Sequence, residues 1–368
     1  MATEVATAEG AAARTLTSDA RPYPPSWVDR IMLALTRAPG PTWLAYVVLV
    51  AASLSAAALE GLLAATPTMD PVLLFYGVLF VAPLAVLHYL DHVAGQAWDA
   101  FRAVTDLGAG EAERVRYELT ITPARAGWVL LALGYATNTL WYMADTVGIG
   151  IAAQPPAYVA MRFVIEGYLA GVLYMLLFQV ARQLRIIGRL HDAATNVDIL
   201  RPRAVQAMSR VTARSAMAIV FVAVLIGVPV PGTSEQSLLA TWLLFSAPML
   251  ALALVAFVLP LRGLHDRLVD EKGRFLGATA LRLRTTIAAL HELVDSEAVN
   301  RTDETASRIA QTRIDALSKA QTALIQERDM ISRLSTWPWD PSTLRAVVSA
   351  IALPIVLFLI TRVLDRFV

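Results

Sequence analysis

Four ionisable residues interrupt stretches of this chain that are otherwise apolar: Glu60, Asp145, Arg162 and Glu166. A charge in hydrocarbon costs roughly 2.5 to 3.5 kcal/mol even on a lenient insertion scale, so each must face a partner or a cavity. Arg162 and Glu166 stand one helical turn apart and can pair directly. Tyr135, Trp141, Tyr142, Tyr168 and Tyr174 fall in the same stretches. Charged groups among aromatic rings suit a small-molecule pocket, and they suit a set of interhelical ion pairs equally well. The candidate ligand site is therefore Glu60, Asp145, Arg162 and Glu166 with Trp141 and Tyr142.

Catalytic patterns are missing. His291-Glu292-Leu293-Val294-Asp295 starts like a zinc-protease helix but carries Asp where a second His must face the metal. There is no glycine-rich phosphate loop and no serine elbow. The five histidines, His88, His92, His191, His265 and His291, are scattered over different segments, and cysteine is absent, which removes disulfides and thiolate chemistry. No enzyme, metal or cofactor is expected.

The elements that hold the charged residues are membrane helices. Hydrophobic residues make up 57% of the chain and charged residues 17%, against about 25% charge in soluble proteins; mean hydropathy is +0.55. A net charge of +1 offers no basic surface for nucleic acid. Lys occurs only at Lys272 and Lys319, and this preference for Arg, with abundant Ala, suggests a prokaryote of high GC content. Spans of about 20 residues are expected near 42–66, 71–90, 127–149, 158–181, 214–232, 237–260 and 342–364. All must be helical, because lipid offers backbone groups no other partner. Pro83, Pro248 and Pro354 fall inside them and should bend them.

Arg and Lys set the direction. The first forty residues carry four, 91–126 four, 182–214 seven and 261–340 twelve, while 67–70, 150–157 and 233–236 carry none. The rich side is cytoplasmic by the positive-inside rule. The expected architecture is all-α, a seven-transmembrane protein of the cell membrane with its N-terminus inside and its C-terminus outside. Its parts are a cytoplasmic arm (1–40), six membrane helices (41–260), a cytoplasmic hairpin (261–340) and a seventh membrane helix (341–368). In the arm, Trp27, Ile31 and Leu35 follow Pro24-Pro25 at helical spacing, which fits a short surface helix; a disordered tail is the alternative.

Val269, Gly273, Leu276, Ala280, Leu283, Ile287, Leu290 and Val294 form a heptad series, and Ile309, Ile314, Leu317, Leu324 and Ile331 a second run. They predict two long helices in a hairpin, closely packed at Gly and Ala. With the helical continuations of neighbouring spans they would form one intracellular bundle. After the hairpin, Asp340 can cap a helix beginning at Pro341, with Trp337 and Trp339 at the interface.

This layout, with its long intracellular extensions and a last helix broken at the membrane surface, resembles the insect odorant and gustatory receptor-like ion channels. The resemblance implies a homo-oligomer, a tetramer in that family, with an outer ligand pocket and a pore lined by the final span. The family's Thr-Tyr and Gln-Phe pairs are not found in that span, which reads Ser349-Ala350-Ile351-Ala352-Leu353-Pro354-Ile355-Val356. Helical spacing makes Ser349, Leu353, Val356 and Ile360 the candidate pore stripe. A non-conducting sensor or scaffold that signals through the hairpin is the alternative.

Overall fold

The computed structural model describes residues 21–64, 71–105, 107–144, 154–193, 202–226, 242–299 and 304–364. These form α1 (Trp27–Arg37), α2 (Thr42–Leu63), α3 (Pro71–Phe101), α4 (Ala109–Thr120), α5 (Ala124–Met143), α6 (Pro156–Ala193), α7 (Pro202–Ile226), α8 (Ala247–Val258), α9 (Arg262–Val299), α10 (Glu304–Arg333) and α11 (Pro341–Leu364). An isolated bridge between Pro25 and Pro123 is the one extended pairing among the described residues.

Six of the described helical stretches are long and apolar enough to cross a membrane: Thr42–Leu63, Gly77–Phe101, Pro156–Leu190, Gln206–Leu225, Ala247–Ser296 and Pro341–Ile360. The chain is thus a multi-pass α-helical membrane protein by length and composition. α5, expected as a further span, is not among the six; Arg125, Thr137, Asn138 and Thr139 lower its hydropathy. Several helices outrun the apolar stretches that define them. α3 continues past residue 90 to Phe101 and α6 past 181 to Ala193.

The main core lies where α1, α3, α6, α7 and α8 meet, around Val28, Leu87, Met175, Leu176, Val222 and Phe257. A second core is built by the extended ends of α3, α6 and α7 with α4, around Trp98, Phe101, Leu119, Ile187 and Met208. α1 is more than a surface helix. Ser26 and Asp29 close a capping box at its start, and Val28 and Met32 are buried in the main core.

α5 and α6 approach most closely through glycine. A Cβ placed on Gly134 would lie 2.4 Å from the backbone N of Gly171 and 2.7 Å from the carbonyl of Gly167, so only a residue without a side chain lets the two backbones touch. Small residues serve this purpose in membranes, where dispersion replaces the hydrophobic effect as the force between helices.

Pro248 lies, as expected, inside a continuous helical stretch: a π-helical turn, Trp242–Ser246, runs directly into α8 just before the proline, and both features disturb the regular hydrogen-bond ladder. One expectation is corrected. The hairpin is present, but its seam is rotated. Leu268 and Thr279 are buried, whereas Val269, Gly273, Ala280 and Val294 are exposed, and a Cβ on Gly273 would meet nothing. The glycine does not pack closely, because the polar Thr279 takes the inner position and its hydroxyl reaches Glu327 Oε1 of α10 at 3.3 Å. On α10, Ile314, Leu317, Leu324 and Ile331 face inward as expected, but Ile309 is exposed.

The base of the hairpin is held by Lys272, whose Nζ donates to the carbonyls of Ser332 (2.6 Å) and Leu334 (2.8 Å) at the end of α10. The link to α11 is anchored by stacked rings. His265 lies 4.0 Å from Trp337, Trp337 4.2 Å from Trp339, and Trp339 5.1 Å from Phe257. Asp340 caps α11 as expected: its carboxylate accepts from Ser342 N and Oγ, which holds the acid below its ordinary range.

Candidate functional site

Two polar sites occupy opposite ends of the helix bundle. The first gathers residues anticipated from sequence at the ends of α2 and α5 and the start of α6. Arg162 Nε donates to Glu166 Oε1 at 2.8 Å, and its Nη1 donates to the Tyr158 hydroxyl at 2.6 Å and stands 3.9 Å from Glu60 Oε1. Tyr142 reaches across from α5 to donate to Glu166 Oε2 at 2.7 Å. Below them Asn138 Nδ2 donates to the Phe163 carbonyl at 3.3 Å and the Tyr135 hydroxyl to the Val164 carbonyl at 3.2 Å.

This cluster is compact. Glu60, Arg162 and Glu166 have side chains only 4%, 13% and 20% exposed, and one guanidinium serves two carboxylates. The arrangement ties α2, α5 and α6 together. Trp141 lies outside it, with its ring on the outer face of α5 and 47% exposed. Asp145 lies outside the described residues.

The second site was not singled out from sequence. Its entrance is made by the segment before α1 and the linker between α4 and α5, which run side by side: Ser26 N donates to Thr122 O and Ala124 N to Pro24 O, each at 3.0 Å. Pro24, Pro25 and Pro123 favour the extended backbone that this pairing needs. Asp29 Oδ2 accepts from Ser26 N (2.9 Å), Ser26 Oγ (2.5 Å) and Thr122 N (3.2 Å).

Deeper in, Gln179 and Gln183, one turn apart on α6, both donate to Oδ1 of Asp91 on α3, at 2.8 and 3.0 Å, and to the Leu119 carbonyl. Thr122 donates to Gln179 Oε1 at 2.9 Å and completes the chain of bonds. Arg182 is directed elsewhere: it donates to the Ile121 carbonyl at 2.7 Å and to the Tyr23 hydroxyl, and its guanidinium lies over the Tyr23 ring. Burial raises the Asp29 carboxyl above its ordinary range despite three donors and the attraction of Arg182. Burial likewise pushes the Tyr23 hydroxyl up to about 12, so that it stays protonated.

Between α1, α3 and α4 this region opens into a cavity of about 910 Å³, with Asp29, Asp91 and His88 among its lining. The sequence signals were the pair Gln179 and Gln183 at helical spacing and Asp91 between His88 and His92. Nothing local distinguished them from ordinary helix-end polarity.

The proposed pore residues Ser349, Leu353, Val356 and Ile360 all lie on one exposed face of α11, away from the rest of the chain. The opposite edge, with Val347, Ile351 and Ile355, packs against the main core.

Long apolar helices joined by polar clusters at their ends define the class, an α-helical integral membrane protein of several spans. No protein-family model, curated protein or solved structure matches this chain.

Proposed function

We propose that the chain is a receptor-like channel that works as a homo-oligomer in the plasma membrane, with α11 lining the conduction path. The observation that carries this reading is the one-sidedness of α11. Its Val347 edge is packed, while Ser349, Leu353, Val356 and Ile360 form a continuous outward stripe. A ring of such stripes around a symmetry axis makes a narrow apolar passage that closes by dewetting. The layout resembles that of the insect odorant and gustatory receptor-like channels, and that resemblance implies four copies in the ring.

α5 is the seventh span of this reading. It is 20 residues long, about 30 Å at ~1.5 Å per residue. It lies against α6 through Gly134 and turns Trp128, Val129, Leu133, Leu140 and Met143 outward. With seven spans the Arg-rich end, including the Asp91 site and the hairpin, is cytoplasmic, and the Arg162 cluster lies toward the outside. Single cysteines at Gly110 and Ser296 should then react with membrane-impermeant reagents only from the cytoplasmic side, and one at Gln154 only from outside.

A second reading, a non-conducting sensor, is favoured by the hairpin, whose α9 and α10 pack on each other and leave Leu281, Ile325 and Met330 exposed for a partner. One experiment separates the two. Protein shown to be oligomeric is reconstituted in bilayers, and ion flux is compared for the parent, Val356→Ser and Ile360→Ser. A hydroxyl in a narrow apolar ring lowers its wetting barrier, so both variants should raise basal flux. A folded oligomer in which parent and variants are all silent refutes the channel, and a monomer removes the ring.

A further inference from the structure

The cavity between α1, α3 and α4 has a charge arrangement that the fold leaves incomplete. At its floor stand two carboxylates, Asp29 and Asp91, only 6% and 8% exposed. Each uses one oxygen. All three donors to Asp29 reach Oδ2, and its Oδ1 is buried without a hydrogen bond. Both amides that serve Asp91 reach Oδ1, and among the described residues nothing donates to Oδ2. Among the described residues neither acid forms an ion pair, and the guanidinium of Arg182 is engaged by Ile121 and Tyr23. A buried carboxylate with free acceptor sites and no cation is costly unless something supplies them.

The rim is mainly of the opposite sign. Arg21, Arg30 and Arg116 line the same cavity and are exposed, Arg116 also pairing with Asp99 at 3.3 Å, against one carboxylate, Glu113; the rings of Tyr23, Tyr117 and His88 stand along its walls. A simple cation would be repelled on entry and a simple anion at the floor. A molecule with a cationic end and an anionic end satisfies both levels, and about 910 Å³ falls in the size range of small-molecule sites.

We propose that this cavity binds the phosphoethanolamine group, with its primary ammonium donating to Asp91 and Asp29 and its phosphate held by the arginines at the mouth. A primary ammonium is specified because the empty positions are acceptors and require N–H donors; the trimethylammonium of choline has none. The aromatic walls add cation–π attraction. The group has two sources, the head of a membrane phospholipid or a soluble glycerophosphodiester.

The full-length protein is placed in phosphatidylglycerol nanodiscs, and affinity is measured for phosphatidylethanolamine doped into the discs and, separately, for glycerophosphoethanolamine in solution. Each is compared with its choline counterpart. The ethanolamine form should bind about tenfold or more tightly than the choline form, the worth of one hydrogen bond to a charged group. Asp91→Asn keeps the acceptor for Gln179 and Gln183 but should abolish the preference. Arg30→Gln, at an exposed position that cannot unfold the core, should weaken both phosphate-bearing ligands and leave free ethanolamine unaffected. Preference in the disc alone identifies the lipid as the source, preference in solution alone identifies the soluble diester, and preference in both supports recognition of the shared group from either source. Equal binding of ethanolamine and choline forms by the parent overturns the proposal, as does a preference that survives in Asp91→Asn together with unchanged affinities in Arg30→Gln.

Discussion

Arg162→Met removes the one cation that serves a buried carboxylate, Glu60, and a half-buried one, Glu166, and retains most of the side-chain volume. In the parent, Glu166 accepts from Arg162 Nε at 2.8 Å and Tyr142 at 2.7 Å, and Glu60, 3% exposed, has Arg162 as its one ion-pair partner among the described residues. In the variant Glu166 keeps Tyr142 alone, and two like charges remain near each other without screening by water. Breaking a buried pair in this way costs about 3 to 5 kcal/mol. Glu166→Gln by itself should cost less, about 1.5 to 3 kcal/mol for one charge-assisted bond, since the amide can still accept from Tyr142. When both changes are combined, the uncompensated Glu166 charge has gone, so the double variant should be more stable than the sum of the single losses predicts, by about 2 kcal/mol. Unfolding of purified protein in mixed micelles, followed by tryptophan fluorescence as denaturing detergent increases, gives the cycle directly. Additive losses, or a loss below about 1 kcal/mol for Arg162→Met, would refute the view that the cluster is a mutually dependent network and would mean that water already reaches it.

Gly134→Ala should destabilise the protein by about 1 to 3 kcal/mol, since the new Cβ meets the backbone of Gly171 at 2.4 Å rather than a movable side chain; Gly110→Ala, which meets nothing within 4 Å, is the control in the same unfolding assay. Asp29 has a raised carboxyl pKa in the folded chain because burial outweighs Ser26, Thr122 and Arg182. Folding therefore takes up a proton there, and its contribution to stability falls as pH rises from about 4 through the raised value. Asp29→Asn should flatten that part of the stability-versus-pH curve, and an unchanged slope would contradict the assignment. Lys272→Met removes two bonds to the last carbonyls of α10 and should speed hydrogen exchange around 328–336, with a local loss of about 1 to 3 kcal/mol.

The membrane class, most span positions, the hairpin and the cap at Asp340 were legible in the sequence because each depends on local chemistry. About twenty apolar residues in a row have one stable state in lipid, and a carboxylate before Pro341 meets the free N–H groups of the turn it precedes. Arg162 with Glu166 was legible for the same reason, since one helical turn separates them. Features that depend on how helices rotate and approach were hidden. The heptad of α9 placed Val269 and Gly273 inside by composition, but the pairing with Glu327 and the bonds of Lys272 turn Thr279 inward instead. Asp91, Thr122, Asp29 and the pair Gln179 and Gln183 come from four separate places in the chain, and none has a local signature that separates it from ordinary helix-end polarity. Only the packing of α1 and the α4–α5 linker against α3 and α6 makes them one network. The same packing decides that two of its carboxylates face a cavity with unused acceptor atoms, because the helix that could have brought a cation, α6, directs Arg182 to the Ile121 carbonyl and the Tyr23 hydroxyl.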